Sequence, residues 1–230
     1  MTPEQLDTLR SGIAPIGQAQ RPPSALLEQY IAFYGLDFST GFSSLEYQLG
    51  TVESGGYTLA VHQWTQPAAT SNLLLMHGYF DHTGIFGKLV AWGISQNCNV
   101  VIFDLPGHGL STGEPASIES FGHHANAMDA VLQSVRLPEL PWWAMGQSTG
   151  GAALIEYARH YSWRFAATVL LAPLIRPKDW KKINLAQRLV RPFRKTIPRN
   201  FAVNSSDTAF LKFLKSEPLQ CHPPPLIWVG

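Results

Sequence analysis

Cysteine is almost missing from this chain. Cys98 and Cys221 are the only two in 230 residues, too few for a disulfide framework, and no CxxC pair offers a zinc or redox site. Charge is sparse as well. Only 14% of residues are charged and the net charge is +1, so overall charge points to no nucleic-acid partner. No apolar run is long enough to span a bilayer. The opening MTPEQLDTLRSG carries acids and lacks an apolar h-region, so no secretory signal is visible. The expectation is a soluble, cytoplasmic protein. Its 45% hydrophobic content suits one globular domain with a small appendage.

What is present is a set of short apolar runs that do not alternate with polar residues. They are Leu73–Met76, Val100–Phe103, Trp142–Met145 and Ala167–Leu171. Such runs fit strands buried on both faces, as in a parallel sheet. Helical stretches lie between them. Ile118 to Val135 has Phe121, Met128, Val131, Leu132 and Val135 near helical spacing, with Ser117 as a candidate cap. Thr149 to Tyr161 is rich in good helix formers. Strand alternating with helix predicts an α/β fold. Ahead of it, Leu45–Val52 and Tyr57–Trp64 flank Glu53-Ser54-Gly55-Gly56, a hairpin signal. Ser24 to Tyr34 reads as a helix, and the first twenty residues as a loose arm.

After Leu171 the composition changes. Residues 176–199 hold nine of the seventeen basic residues and one acid, Asp179. Trp180, Ile183, Leu189, Val190 and Phe193 recur near helical spacing. This predicts a basic, amphipathic cap inserted into the sheet domain. The expected layout is an N-terminal arm and helix over 1–40, an α/β core over 41–175, a cap over 176–222 and the start of further core over 223–230.

The stretch Gly146-Gln147-Ser148-Thr149-Gly150 is a G-x-S-x-G pattern placed directly after a buried strand and before a helix. That is the context of a nucleophile elbow. Its glycines relieve a strained turn, and the turn aims the serine hydroxyl at the cleft beyond the strand ends. The Thr149 N–H then stands at a helix N-terminus, where negative charge is favoured. His77-Gly78 follows the preceding strand in LLLMHGYFDH, and this loop should supply the second oxyanion donor, read as the Tyr79 N–H. His82 lies in that loop and is read as structural. Asp104, in DLPGHGLS, precedes the serine and is read as holding its own loop by hydrogen bonds. The bland alternative is a set of tight turns without chemistry. The adjacent pair His123-His124 is read as structural, because adjacent side chains on a helix diverge, and no metal site is expected.

HG-x-x-x-H-x-G, D-x-x-G-H-G-x-S and G-x-S-x-G-G in this order and spacing resemble the α/β-hydrolase superfamily. Within it the chain is most similar to monoglyceride lipase and lysophospholipase-like serine hydrolases, from about residue 45 to 175. The resemblance implies Ser148 as nucleophile, Tyr79 and Thr149 as oxyanion donors, and His77, Gly78, Gly146 and Gly150 as supporting motif residues. It implies no cofactor. Gln147 departs from the histidine such enzymes often carry. In this fold the acid and histidine follow the serine in the chain. Only His160 and His222 do so here. His160 lies three turns along a helix, and His222 precedes a proline run. Asp179 sits among lysines. The expectation is that the chain stops before its triad acid, its histidine and its last strands, and that it is weakly active or inactive as it stands.

The predicted activity is hydrolysis of lipophilic carboxylic esters through an acyl-enzyme, with Trp180, Phe193 and Phe201 of the cap contacting the substrate. The basic segment 176–199 is a candidate for peripheral membrane or micelle contact. Two rivals remain. One is acyl transfer or thioester cleavage by the same elbow. The other is a non-catalytic binding or scaffold protein on this fold.

Overall fold

The computed structural model describes residues 1–18, 24–42, 44–175 and 205–220. Six strands form one mixed sheet: β1 (Glu46–Ser54), β2 (Tyr57–Thr65), β3 (Ser71–Met76), β4 (Cys98–Phe103), β5 (Trp142–Gln147) and β6 (Phe165–Leu171). Their order is β1-β2-β4-β3-β5-β6. The first two strands and the β2–β4 pair are antiparallel, and β4, β3, β5 and β6 run parallel. Six α-helices accompany them among the described residues, α1 (Pro3–Gly12), α2 (Ala25–Tyr34), α3 (Gly87–Ser95), α4 (Phe121–Ser134), α5 (Thr149–His160) and α6 (Thr208–Leu214), with a short 3-10 turn at Thr83–Phe86.

The hairpin closes where the sequence placed it. Ser54 pairs with Tyr57, and Gly55 and Gly56 take φ values of 56° and 85°, the left-handed conformations that a two-residue hairpin turn needs. The central strands explain their own lack of alternation. Leu73, Leu75, Val100 and Ile102 enter one core with residues of α1, α2 and α3. Leu74, Met76, Val101 and Phe103 enter a second core with residues of α4 and α5. Each strand is therefore apolar on both faces because it has a helical layer on both faces.

Two local readings are corrected. The first residues are not a loose arm. They form α1, started by a capping box in which the Thr2 hydroxyl accepts from the Gln5 N–H and the Gln5 side chain accepts from the Thr2 N–H. Leu6 and Leu9 drop into the core, and Pro15 bridges Thr51 of β1. Helix α4 starts after Ser120, not Ser117. Ser120 is extended, and its hydroxyl accepts from the Gly122 N–H. Ser117 instead donates its N–H to Glu114 O in the preceding turn.

At the other side of the sheet, β6 is the edge strand among the described residues, and Val169, Leu170 and Leu171 are exposed there. The cap segment 176–199, with Trp180 and Phe193, lies outside the described residues, as do Phe201, Cys221 and His222.

Candidate active site

The parallel strands β3 and β5 end side by side, and the residues that matter follow those ends. Ser148 joins β5 to α5 with φ 49° and ψ −111°. A side chain with a Cβ rarely adopts a positive φ, and holding one there costs of order 1–3 kcal/mol. The surroundings hold it firmly. The Ser148 N–H donates to Leu171 O at 2.9 Å, and Ser148 O accepts from Ala152 N at 3.1 Å and Leu174 N at 2.9 Å. The side chain itself remains half-buried.

The flanking glycines create the packing that makes this turn fit. A Cβ on Gly150 would stand 2.3 Å from Met76 O and 2.7 Å from His77 O. One on Gly146 would stand 2.7 Å from Gly150 C. Their absence lets the first turn of α5 press against the end of β3. That contact brings the two predicted loops together, so that a Cβ built on Gly78 would lie 3.5 Å from Ser148 Cβ. Thr149, the first residue of α5, is fully buried. Tyr79 is half-buried, and its hydroxyl donates to Ala116 O at 2.6 Å. Ser148, Thr149, Gly146, Gly150, His77, Gly78 and Tyr79 thus converge on one spot. Trp180, Phe193 and Phe201 fall outside the described residues.

His77 ties this spot to the next strand. Its Nδ1–H donates to Gly78 O at 2.8 Å, and its Nε2 accepts from Leu105 N at 2.9 Å. Two such bonds fix a neutral ring. Burial, reinforced by nearby His108, pushes its pKa down to about 3. Asp104 behaves as its loop position suggested. Its carboxylate accepts from Thr83 N and Leu110 N, each at 2.7 Å, and Ser111 Oγ donates to its backbone oxygen. Burial works against that charge, but His62, His82, His77 and the Thr83 N–H together hold its pKa below the usual value. His160 bonds Glu156 on its own helix at 2.9 Å, well along α5. Among the described residues, no side chain hydrogen-bonds Ser148 Oγ.

Two features of the site carry no local sequence signal. The Arg10 guanidinium of α1 donates to Leu110 O at 3.2 Å and Gly109 O at 3.1 Å, so the N-terminal helix braces the Asp104 loop. Glu217, just after α6, reaches His82 and Tyr34.

The buried imidazoles make a testable demand on pH. Burial is the main cause that lowers His62 to about 4 and His124 to about 3, as it lowers His77. All three stay neutral in the folded protein well below their usual value of 6.5. The unfolded chain binds those protons first. Their stabilising contribution is complete above pH 6.5 and is lost as pH falls towards 4 and 3. With three protons in play the slope approaches about 4 kcal/mol per pH unit. Urea unfolding at stepped pH should show this fall below 6.5. A flat profile down to pH 4.5 would contradict the burial of these rings.

A mixed sheet with four parallel strands and helices on both faces, and a strained serine between β5 and α5, is the framework of an α/β hydrolase. The chain belongs to the family described as serine aminopeptidase, S33, whose model matches residues 67–228. Human monoglyceride lipase is 30% identical over 184 residues, spanning 74% of this chain and 59% of its own. Phospholipase YtpA of Bacillus subtilis is 27% identical over 113 residues, 49% of this chain and 44% of its own. The chain thus spans about half the length of these curated relatives. Among solved structures, a soluble variant of Saccharomyces cerevisiae monoglyceride lipase with a substrate analog superposes with a TM-score of 0.65 at 19% identity. It covers 80% of this chain and 66% of that one. At these identities the structural likeness speaks to the fold alone.

Proposed function

We propose that this chain carries the nucleophile and oxyanion site of a serine hydrolase that cleaves carboxylic esters of lipophilic substrates, monoacylglycerols or lysophospholipids by class. The observation that carries the reading is the Ser148 backbone, held at φ 49° beside Gly78. Strain of this kind persists where surrounding structure over-determines it, and it clusters at reacting groups.

In this reading Ser148 Oγ attacks the acyl carbonyl and gives its proton to a general base. The carbonyl oxygen becomes an oxyanion and accepts hydrogen bonds from the Tyr79 and Thr149 N–H groups. The tetrahedral intermediate collapses, and the alcohol leaves with a proton. Water then attacks the acyl-enzyme and frees Ser148. The base is assigned to none of the described histidines, since none reaches Ser148 Oγ. The names of the relatives favour ester bonds over the peptide bonds named by the family description. Side-by-side assay of the full-length protein on monoacylglycerol, lysophospholipid, thioester and aminoacyl-peptide substrates tests the choice. Turnover of peptides alone would overturn it, and turnover only with an added acyl acceptor would favour transfer. No turnover and no covalent trapping would favour the scaffold reading.

The cap over 176–222, with Trp180, Phe193 and Phe201 against the acyl chain, belongs to the same proposal. The nine basic residues of segment 176–199 suit docking on an anionic interface, at roughly 1 kcal/mol per residue near the surface. Co-sedimentation with anionic vesicles should be strong at low salt and weak at high salt. Binding indifferent to lipid charge would rule docking out. Among the described residues, no helix is long and apolar enough to cross a membrane.

A further inference from the structure

Loop 77–84 carries the Tyr79 N–H; besides the Tyr79 hydroxyl, which donates to Ala116 O, it is tied by three bonds on either side of that residue. Two come from the neighbouring strand's loop: His77 Nε2 accepts from Leu105 N, and Thr83 N donates to Asp104. The third is unlike them. His82, wholly buried, meets Glu217 Oε1 at 3.1 Å through Nε2, across 135 residues of chain. The other ring nitrogen, Nδ1, accepts from Gly84 N at 3.1 Å. That bond leaves the ring proton on Nε2, pointing at Glu217.

Glu217 is built to receive it. Its side chain is fully buried. Besides His82, its Oε2 accepts from Tyr34 Oη at 2.8 Å and from Leu219 N at 3.0 Å. The Tyr34 ring in turn stands edge-on to His82 at 5.2 Å and to Phe213 of α6 at 6.1 Å. Three donors on one buried carboxylate fix its orientation. Burial opposes the Glu217 charge, yet His82 and the other donors hold its pKa below the usual carboxylate value. An apolar contact of equal volume would stabilise the fold about as well. What the carboxylate adds is orientation.

We infer that Glu217 is a positioning residue, which sets the Tyr79 N–H of the oxyanion site by gripping His82. The inference rests on the proposed role of Tyr79. The loop is pinned at His77 on one side of Tyr79 and at His82 and Thr83 on the other. Glu217, near the end of the segment 176–222, therefore fixes the far side of the turn that presents the donor. Oxyanion donors act within a few tenths of an ångström, and an error of about 1 Å costs roughly 100-fold in rate. Substrate binding away from the carbonyl does not depend on this bond.

The test uses the full-length protein, its kcat and KM on a monoacylglycerol, and fluorophosphonate labelling at Ser148. Glu217→Gln keeps the shape but puts an amide N–H₂ where a second acceptor is needed. It should lower kcat about 10-fold or more with KM changed less than about 3-fold. The final stoichiometry of Ser148 labelling should be unchanged and its rate reduced. Tyr34→Phe removes one donor and should lower kcat about 3-fold in the same sense, and it decides the matter should Glu217→Gln not fold. His82→Gln combined with Glu217→Gln should lose no more than the worse single variant, since both act through one bond. Wild-type kcat in a folded Glu217→Gln protein, or in Tyr34→Phe where the former does not fold, overturns the inference while Ser148 labelling leaves the catalytic reading intact. Absence of labelling in the wild type overturns the reading beneath it.

Discussion

Ser148→Ala in the full-length protein is expected to lower ester hydrolysis by about 10⁴- to 10⁶-fold, the range that loss of a serine nucleophile produces elsewhere. The folded state should barely notice. Alanine keeps the Cβ, so the strain at φ 49° is the same in both proteins, and no described side chain loses a hydrogen bond. Ser148→Gly gives a useful contrast. It should be equally inactive yet no less stable, because glycine adopts this backbone without the Cβ penalty. Activity above about 1% of wild type in Ser148→Ala would place the nucleophile elsewhere.

Gly150→Ala should be as damaging to the fold as Ser148→Ala is to the chemistry. The new methyl group would sit 2.3 Å from Met76 O and 2.7 Å from His77 O. Both atoms belong to backbone that cannot rotate away. Relief requires α5 to move off β3, which would separate Ser148 from Gly78. Overpacking typically costs 1–3 kcal/mol where side chains can yield. Here the loss should exceed about 3 kcal/mol, seen as a large drop in the urea midpoint or as insoluble protein. Gly12→Ala is the control. Nothing lies within 4 Å of a Cβ there, and stability should change by less than about 1 kcal/mol. Equal stability of Gly150→Ala and wild type would contradict the packing described for the elbow.

Strands β3 and β4 were legible because their apolar runs are short and unbroken, as in strands covered on both faces, whereas the similar run at β6 leaves Val169, Leu170 and Leu171 exposed. The elbow and the His77-Gly78 loop were legible for a different reason. Their residues are local in sequence, and their placement is dictated by backbone geometry. What stayed hidden was either weakly marked or long in range. The Thr2-x-x-Gln5 box that starts α1 was present in the sequence, but four residues of capping pattern compete poorly with a helix of only ten residues. The α4 start slipped by three residues because Ser117 and Ser120 are both good caps, and the turn at Ala116, with φ 48°, decided between them. Arg10 on the Asp104 loop and Glu217 on His82 join residues about a hundred positions apart or more. No periodicity or motif announces such pairs. They exist only once the sheet has brought the ends of its strands together.

The most direct measurement is covalent trapping followed by mapping of the adduct. The full-length protein is treated with a fluorophosphonate, digested, and read by mass spectrometry. The account predicts one adduct per chain, on Ser148, absent from Ser148→Ala and blocked by prior incubation with a monoacylglycerol substrate. An adduct on another serine, or ester hydrolysis that persists in protein carrying none, would contradict it.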